Sequence, residues 1–420
     1  PKSLPIYYFK NSLLNVMTAF KPSPKASSLN HSSSDSTELS NRREFLKTSS
    51  ATVAAGVIAP AVMVKPKAFA ANDETLRVGL IGCGGRGTGA ASQAMKADGN
   101  VMLTAMGDMY PDRLDVSYNA LKKAAEEKIQ VDPEKKFTGF DAYKKVLERG
   151  VDLVILATPP GFRPMHLRAA VDAGKHIFCE KPIDLNYEKV KTVSEMVASA
   201  GIHFMLGFNR RFDPHFLTLK KSIEEGKIGD VEILILTSRD PGLPPVQYLE
   251  NSGGLFKDMT IHDFDMAAFL LGELPTEIYS TASVLVDQKL KNINDYDTAS
   301  LILNTKSGKQ IIINNSRRAS YGYDQRIEVH GSKGMISAEN QRPVSIEIAT
   351  SKGFTKPPLH HFFMTRYIQA YENELDHFIQ SLMHNSNIHP NGHDGLNALI
   401  IAEAAYSSLK SGKKTSIKYT

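Results

Sequence analysis

Asp258-Met-Thr-Ile-His262 sets a carboxylate and an imidazole four residues apart, and Glu180-Lys181-Pro182 sets an ammonium at the end of an apolar strand, Lys175 to Cys179. If the first segment is one helix, the two side chains share a face about one turn apart. Lys181, Asp258 and His262 together suit the oxidation of an alcohol. One group takes the hydroxyl proton, a carboxylate orients it, and a cation stands near the developing alkoxide. Such chemistry needs a hydride acceptor, so the elements that would hold one come next.

Leu76 to Ile81 reads as a short strand running into Gly82-Cys-Gly84-Gly85-Arg86-Gly87, a G-x-G-x-x-G turn, with a helix from about Thr88 to Ala97. The glycines permit a tight turn, close approach of a pyrophosphate and close helix–strand packing, with the helix N-terminus facing the phosphates. A second strand, Val101 to Met106, leads to Asp108. An acid there suits ribose hydroxyls and repels a 2′-phosphate, which favours NAD over NADP; Arg86 and Arg113 lie near enough in sequence to blur that choice. Helices 112–128, 141–149, 165–173 and 187–200 then alternate with strands 151–157, 176–179 and 202–208, the pattern of a doubly wound parallel sheet. Ligands lie outside the carboxyl ends of such strands. The expected cofactor-binding set is therefore Gly82, Gly84, Gly85, Arg86, Gly87, Asp108, Thr158, Pro159, Glu180 and Lys181, along one crevice.

After residue 208 the pattern changes. A helix over 213–225 and a strand over 231–238 precede the proline-rich loop 240–250 and a helix over 261–271. Five β segments follow (277–286, 298–304, 309–317, 325–330, 335–339), with helices over 364–384 and 395–411 at the end. Hairpin-like spacing implies an antiparallel sheet. Arg317-Arg318 admits a reading as a solvated edge-strand pair, and Tyr321 and Tyr323 should face one side of the sheet. The expected fold class is α/β: an N-terminal Rossmann-type doubly wound parallel sheet and a C-terminal α+β domain with a large, open, mostly antiparallel sheet. The divisions are 1–70, 71–208 for the dinucleotide and 209–420 for substrate and oligomerisation.

Residues 1–70 stand apart. Asn41-Arg42-Arg43-Glu-Phe-Leu-Lys47, an apolar run from Ala51 to Val64 and Ala68-Phe-Ala70 follow in the order of a twin-arginine export signal with a cleavage box. The expectation is export to the periplasm; the alternative is a cytoplasmic enzyme. This segment holds nine Lys/Arg against three Asp/Glu, so the chain's net charge of +5 becomes −1 beyond it. That leaves no basic excess for nucleic acid, and no apolar run past residue 71 is long enough to span a membrane. The 2 cysteines, Cys83 and Cys179, read as buried free thiols. His262 and Asp265 lack a third ligand of convincing spacing, so no metal is expected.

The glycine turn, Glu180-Lys181-Pro182 and the Asp258–His262 pair, in this order, resemble the Gfo/Idh/MocA oxidoreductases over about residues 75–415. Three strings, 207–213, 252–265 and 315–326, resemble the inositol 2-dehydrogenases of that family most. The resemblance implies that Lys181 reaches both the nicotinamide ribose and the reacting hydroxyl, that His262 is the general base, and that Asp258 completes the set. It also implies that Asn209, Arg210 and Tyr323 contact substrate, that a cis bond precedes Pro182, and that the C-terminal sheets pair in dimers or tetramers. The substrate it implies is a cyclic polyol or sugar, foremost myo-inositol. One departure is Thr237-Ser-Arg-Asp240, where some inositol dehydrogenases carry a histidine. Two other functions stay open. One is a redox-neutral sugar oxidoreductase or glycosidase with permanently bound NAD, which export would favour. The other is a non-catalytic sugar-binding protein, which would need no base.

Overall fold

The structure, a computed structural model, describes residues 74–419; the twin-arginine segment lies outside them. Six parallel strands form the first sheet: β1 (Leu76–Ile81), β2 (Val101–Asp108), β3 (Lys136–Thr138), β4 (Leu153–Leu156), β5 (His176–Glu180) and β6 (Phe204–Gly207), in the order β3-β2-β1-β4-β5-β6. Strand β4 shows why both faces are covered. All four of its residues are apolar and buried; Leu153 and Ile155 join one core, Val154 and Leu156 the other. Burying each such side chain contributes about 1.5–3 kcal/mol. One face carries α1 (Gly85–Lys96) and α2 (Pro111–Ala124), the other α3 (Ala142–Leu147), α4 (Arg163–Asp172) and α5 (Tyr187–Ser199). The order reverses between β1 and β4, which opens the crevice where these sheets bind ligands.

The chain then passes through α6 (Pro214–Glu224) into a second, seven-stranded sheet. Its strands are β7 (Val231–Arg239), β8 (Pro275–Ser283), β9 (Thr298–Thr305), β10 (Gln310–Ser316), β11 (Asp324–Gly331), β12 (Gly334–Ala338) and a short strand near the C-terminus. Between them come a small exposed hairpin, β13 (Ile348–Thr350) and β14 (Gly353–Thr355), and, at the end, β15 (Thr415–Ser416). The order is β12-β11-β7-β10-β9-β8-β15. The pairs are antiparallel except β7–β10, which is parallel. Hairpin spacing missed that pair, because three helices and the strands β8 and β9 separate β7 from β10 along the chain. The helices are α7 (Val246–Ser252), α8 (Gly254–Asp258) and α9 (Ile261–Leu271). After α10 (Phe363–Arg366), α11 (Ile368–Met383) returns to the first sheet and packs Leu375, Phe378 and Ile379 into the core beside α1, while α12 (Gly392–Ser411) bridges α5 and β8.

Two local expectations need correction. Asp258 and His262 do not share one helix: α8 ends at Asp258 and α9 begins at Ile261. Between them the Thr260 N–H donates to Leu255 O, five residues back, and its hydroxyl donates to Asn315 Oδ1 at 2.6 Å. That shift of register turns the two side chains apart. Tyr321 and Tyr323 do not share a side either. Gly322, at φ +118°, adopts a conformation other residues rarely take and turns Tyr321 outward to Asp324 and Arg239. Tyr323 stays buried against Tyr367.

Candidate active site

The glycine turn sits at the switch point. Gly82 has φ +96°, and a Cβ there would meet the Ala157 and Thr158 backbone at 2.8 Å, so the ends of β1 and β4 touch. A Cβ on Gly87 would lie 1.9 Å from Gly82 O, which is what brings α1 against the turn. Gly84 and Gly85 differ: a Cβ there would meet nothing within 4 Å. The first turn of α1 carries no acidic residue and no side-chain cap, so its N–H groups face open space fit for a pyrophosphate. Asp108 ends β2 with its carboxylate fixed at this turn, accepting from Cys83 N at 2.6 Å and Tyr110 N at 2.9 Å.

Arg86 and Glu180 are brought together, Nε to Oε1 at 2.6 Å. The guanidinium also contacts Gln93 and Glu374 and lies 4.2 Å over the Tyr371 ring. It thus links α1, β5 and α11, which leaves its main-chain N–H as the part at the mouth of the turn. Arg113 lies on the surface beside Tyr110. Thr158 bonds His166 Nδ1 at 3.0 Å, and Pro159 opens the loop that follows β4. Arg163 was not foreseen. Its buried guanidinium donates to Thr158 O at 2.6 Å, to Glu180 O at 2.7 Å and to Pro182 O, tying the ends of β4 and β5. The Lys181–Pro182 bond is cis, as the resemblance implies.

At the end of β5, Lys181 Nζ donates to Asp258 O at 2.8 Å and lies 3.6 Å from Asp258 Oδ1. The Asp258 carboxylate does not reach the imidazole. Oδ1 accepts from Tyr248 OH at 2.7 Å and Oδ2 from Arg317 Nη2 at 3.2 Å. Arg317 is 1% exposed, so it is not a solvated edge residue. His262 stands edge-on to Phe208, with Nδ1 enclosed and unbonded. Burial, with Lys181 and Arg210 nearby, holds its pKa well below 6.5, so it is neutral at pH 7. Burial likewise lowers Lys181 against the pull of Asp258 and Glu180. Asp258 stays below the usual carboxylate range because Lys181 and Arg317 outweigh burial.

The expected substrate contacts line the same region. Arg210 donates to Asp263 Oδ1 at 2.7 Å and Ser238 Oγ at 3.0 Å, and Asp263 Oδ2 accepts from Asn315 at 2.8 Å. Asn209 is buried with Nδ2 unbonded. Asp265 pairs with Arg211 at 2.6 Å; among the described residues no acidic, histidine or cysteine cluster could hold a metal. Cys83 and Cys179 are buried free thiols. Sequence reading missed Tyr248, Ser238 and Gln325, each from a separate segment; the Ser238 hydroxyl lies 2.5 Å from Asp263 Oδ1 and 3.1 Å from Gln325 Oε1.

A parallel sheet whose open glycine turn, strand-end acid and Lys181–His262 pair meet at one crevice defines a dehydrogenase that uses a nicotinamide dinucleotide. The chain belongs to the Gfo/Idh/MocA oxidoreductase family. Residues 76–208 match its NAD-binding Rossmann fold, and residues 220–417 match its C-terminal alpha/beta domain. It is 49% identical over 343 residues to an inositol 2-dehydrogenase of Rhizobium meliloti, covering 82% of this chain and 99% of that one. It is 39% identical to a myo-inositol 2-dehydrogenase of Thermotoga maritima, over 82% and 98% of the two chains. The crystal structure of a scyllo-inositol dehydrogenase from Lactobacillus casei, with NAD(H) and scyllo-inositol bound, is similar with a TM-score of 0.74 at 26% identity, over 82% of this chain and 99% of that one. The cofactor is NAD.

Proposed function

We propose that the protein oxidises a secondary hydroxyl of myo-inositol, or a close cyclic polyol, to the ketone. The observation that carries this reading is a neutral His262 and a buried Lys181 converging outside the strand ends beside the glycine turn. The names of the relatives supply the substrate class. Bound NAD supplies the acceptor for the hydride that leaves the carbinol carbon. Gly84, Gly85 and the α1 N-terminus hold its pyrophosphate, and Asp108 its adenosine ribose. His262 takes the hydroxyl proton; with Nδ1 enclosed, Nε2 is the ring atom for that task. The Lys181 ammonium offsets the charge that develops on the oxygen. Arg210, Asn209 and Tyr323 orient the ring of hydroxyls.

Purified protein mixed with NAD and myo-inositol should accumulate reduced cofactor over many turnovers, read by absorbance. A single turnover per chain at saturating NAD would instead support the captive-cofactor reading, which the leader favours because free NAD is scarce outside the cytoplasm. We propose export by the twin-arginine route on the strength of Arg42-Arg43, the apolar run and the cleavage box. Replacing both arginines by lysine should then keep the protein in the cytoplasm, as judged by fractionation; wild-type protein found there would end this proposal. We also propose pairing through the open face of the second sheet. Tyr279, Ile302, Ile312 and Ile235 form one apolar row across four strands of it.

A further inference from the structure

The Asp258 carboxylate is held by more than the lysine. Arg317, just past β10, carries a guanidinium 1% exposed, with Nη2 on Asp258 Oδ2 and Nε without a partner. A buried guanidinium tied to a carboxylate by one aligned hydrogen bond is a poor device for stability, since packed apolar side chains commonly serve as well or better. Its geometry has another consequence. Asp258 holds the Lys181 ammonium twice, through its carbonyl at 2.8 Å and through Oδ1 at 3.6 Å. Whatever fixes the Asp258 carboxylate therefore fixes the counter-charge of Lys181. Tyr248, on α7, caps the remaining oxygen at 2.7 Å, although the residue is itself about half exposed.

We infer that Arg317 is a positioning residue for the dehydrogenation: with Tyr248 it fixes the Asp258 carboxylate beside Lys181 and away from His262. The inference rests on the reading that Lys181 and His262 serve the reacting hydroxyl, and it identifies what holds the first of them to that task. It also fits the Asp258 carboxylate facing away from His262: both of its oxygens are engaged by groups from other segments.

The charges around this pair define the test. Asp258 is faced by Lys181 from the end of β5, Arg317 from the end of β10, Tyr248 from α7 and Asp240 from the end of β7. Arg317 is faced by Asp258, Asp240 and Asp295. Lys181 is faced by Asp258, Glu180, Arg163 and Arg210. His262 responds to Lys181 and Arg210. Removing the Arg317 charge raises the Asp258 pKa, so the carboxylate is lost at a higher pH as the solution is acidified. Asp240, which burial lifts to about 6 against the pull of Arg317, moves in the same direction and has to be controlled.

The experiment is the pH dependence of kcat and kcat/KM, with NAD and myo-inositol, for the full chain and its variants. Arg317→Gln should lower kcat about tenfold to a hundredfold, the scale expected when a reacting group is misplaced. The KM for the polyol should change little. The acid limb of kcat/KM should move up by about one pH unit or more, the shift expected on removing a nearby opposite charge. Arg317→Lys should restore most of both. The limb shift should persist when Arg317→Gln is combined with Asp240→Asn, and Tyr248→Phe should move the limb the same way by less. A wild-type limb and kcat in Arg317→Gln, or a shift that vanishes in the Asp240→Asn background, would overturn the inference. If Arg317→Gln does not fold, Tyr248→Phe decides: an unmoved limb overturns it. Full turnover in His262→Ala would instead sink the reading of the base, whatever Arg317 does.

Discussion

The residue that most directly tests the chemistry is His262. Its replacement by Ala should cost about 10² to 10⁴ in turnover, the usual range for a general base, with NAD binding kept because the glycine turn and Asp108 are untouched. Near-native turnover would remove it from the mechanism. The pH dependence follows from its environment. Burial and two neighbouring cations disfavour the imidazolium, so the base is neutral through the neutral range; its protonation, well below 6.5, falls on the same acid side as that of Asp258, and both groups shape the acid limb. Lys181 has the opposite sense: its lowered pKa means the cation is lost on the alkaline side earlier than for an exposed lysine. Cofactor choice rests on Asp108. Asp108→Ser should relax the preference for NAD toward NADP, since a 2′-phosphate would no longer meet a fixed carboxylate. A wild-type preference for NADP would show that the strand-end acid does not decide. Of Lys181, Asp258, His262 and Arg317, the first three were legible from type and spacing. Arg317 was not, because it touches Asp258 from 59 residues away.

At the scale of elements, the glycine turn separates two roles that one motif merges. Gly87→Ala places a Cβ 1.9 Å from Gly82 O, a clash with backbone that cannot turn aside. It should lower stability by about 1–3 kcal/mol, as overpacking commonly does, and weaken NAD binding with it. Gly84→Ala meets nothing within 4 Å and keeps φ −71°, so it should leave the melting temperature nearly unchanged while still weakening NAD. Calorimetry and cofactor titration on the two variants would read this directly. Equal loss of stability in both would contradict the open cradle. The α8–α9 break is the other lesson here. A four-residue spacing suggests one face, but the Thr260 hydrogen bonds to Leu255 and Asn315 reset the register between the two helices. One of those partners belongs to β10, so the break has no local signature.

For the whole molecule, the open face of the second sheet sets the association prediction. Ile302, 51% exposed at the centre of an apolar row, is a costly residue to leave in water. Ile302→Glu should shift the protein to a smaller species in sedimentation equilibrium without unfolding it, since the side chain touches no core. An unchanged mass would remove this face from the interface. The return of α11 and α12 to the first sheet makes the two sheets share cores. Loss of these helices by truncation would therefore damage the nucleotide half as well.

Local periodicity and turn chemistry determined the first sheet. Strands buried on both faces are written as apolar runs, and each is followed by its helix, so β1, β2, β4, β5 and β6 fall close to where the sequence places them. The glycine turn and the acid after β2 were legible for the same reason: their work is done within one βαβ unit. The second sheet was legible as strands but not as an order, because the parallel β7–β10 pair joins segments about 80 residues apart. What only the tertiary structure decided is who touches whom inside the crevice. Tyr321 and Tyr323 part at Gly322, Arg86 is drawn inward by Glu180 and Glu374, and Asp258 turns from His262 to Arg317 and Tyr248. Arg86 and Asp258 are buried charges finding their partners, which desolvation fixes in three dimensions, and the tyrosines are parted by one backbone turn at Gly322; neither leaves a periodic trace along the chain.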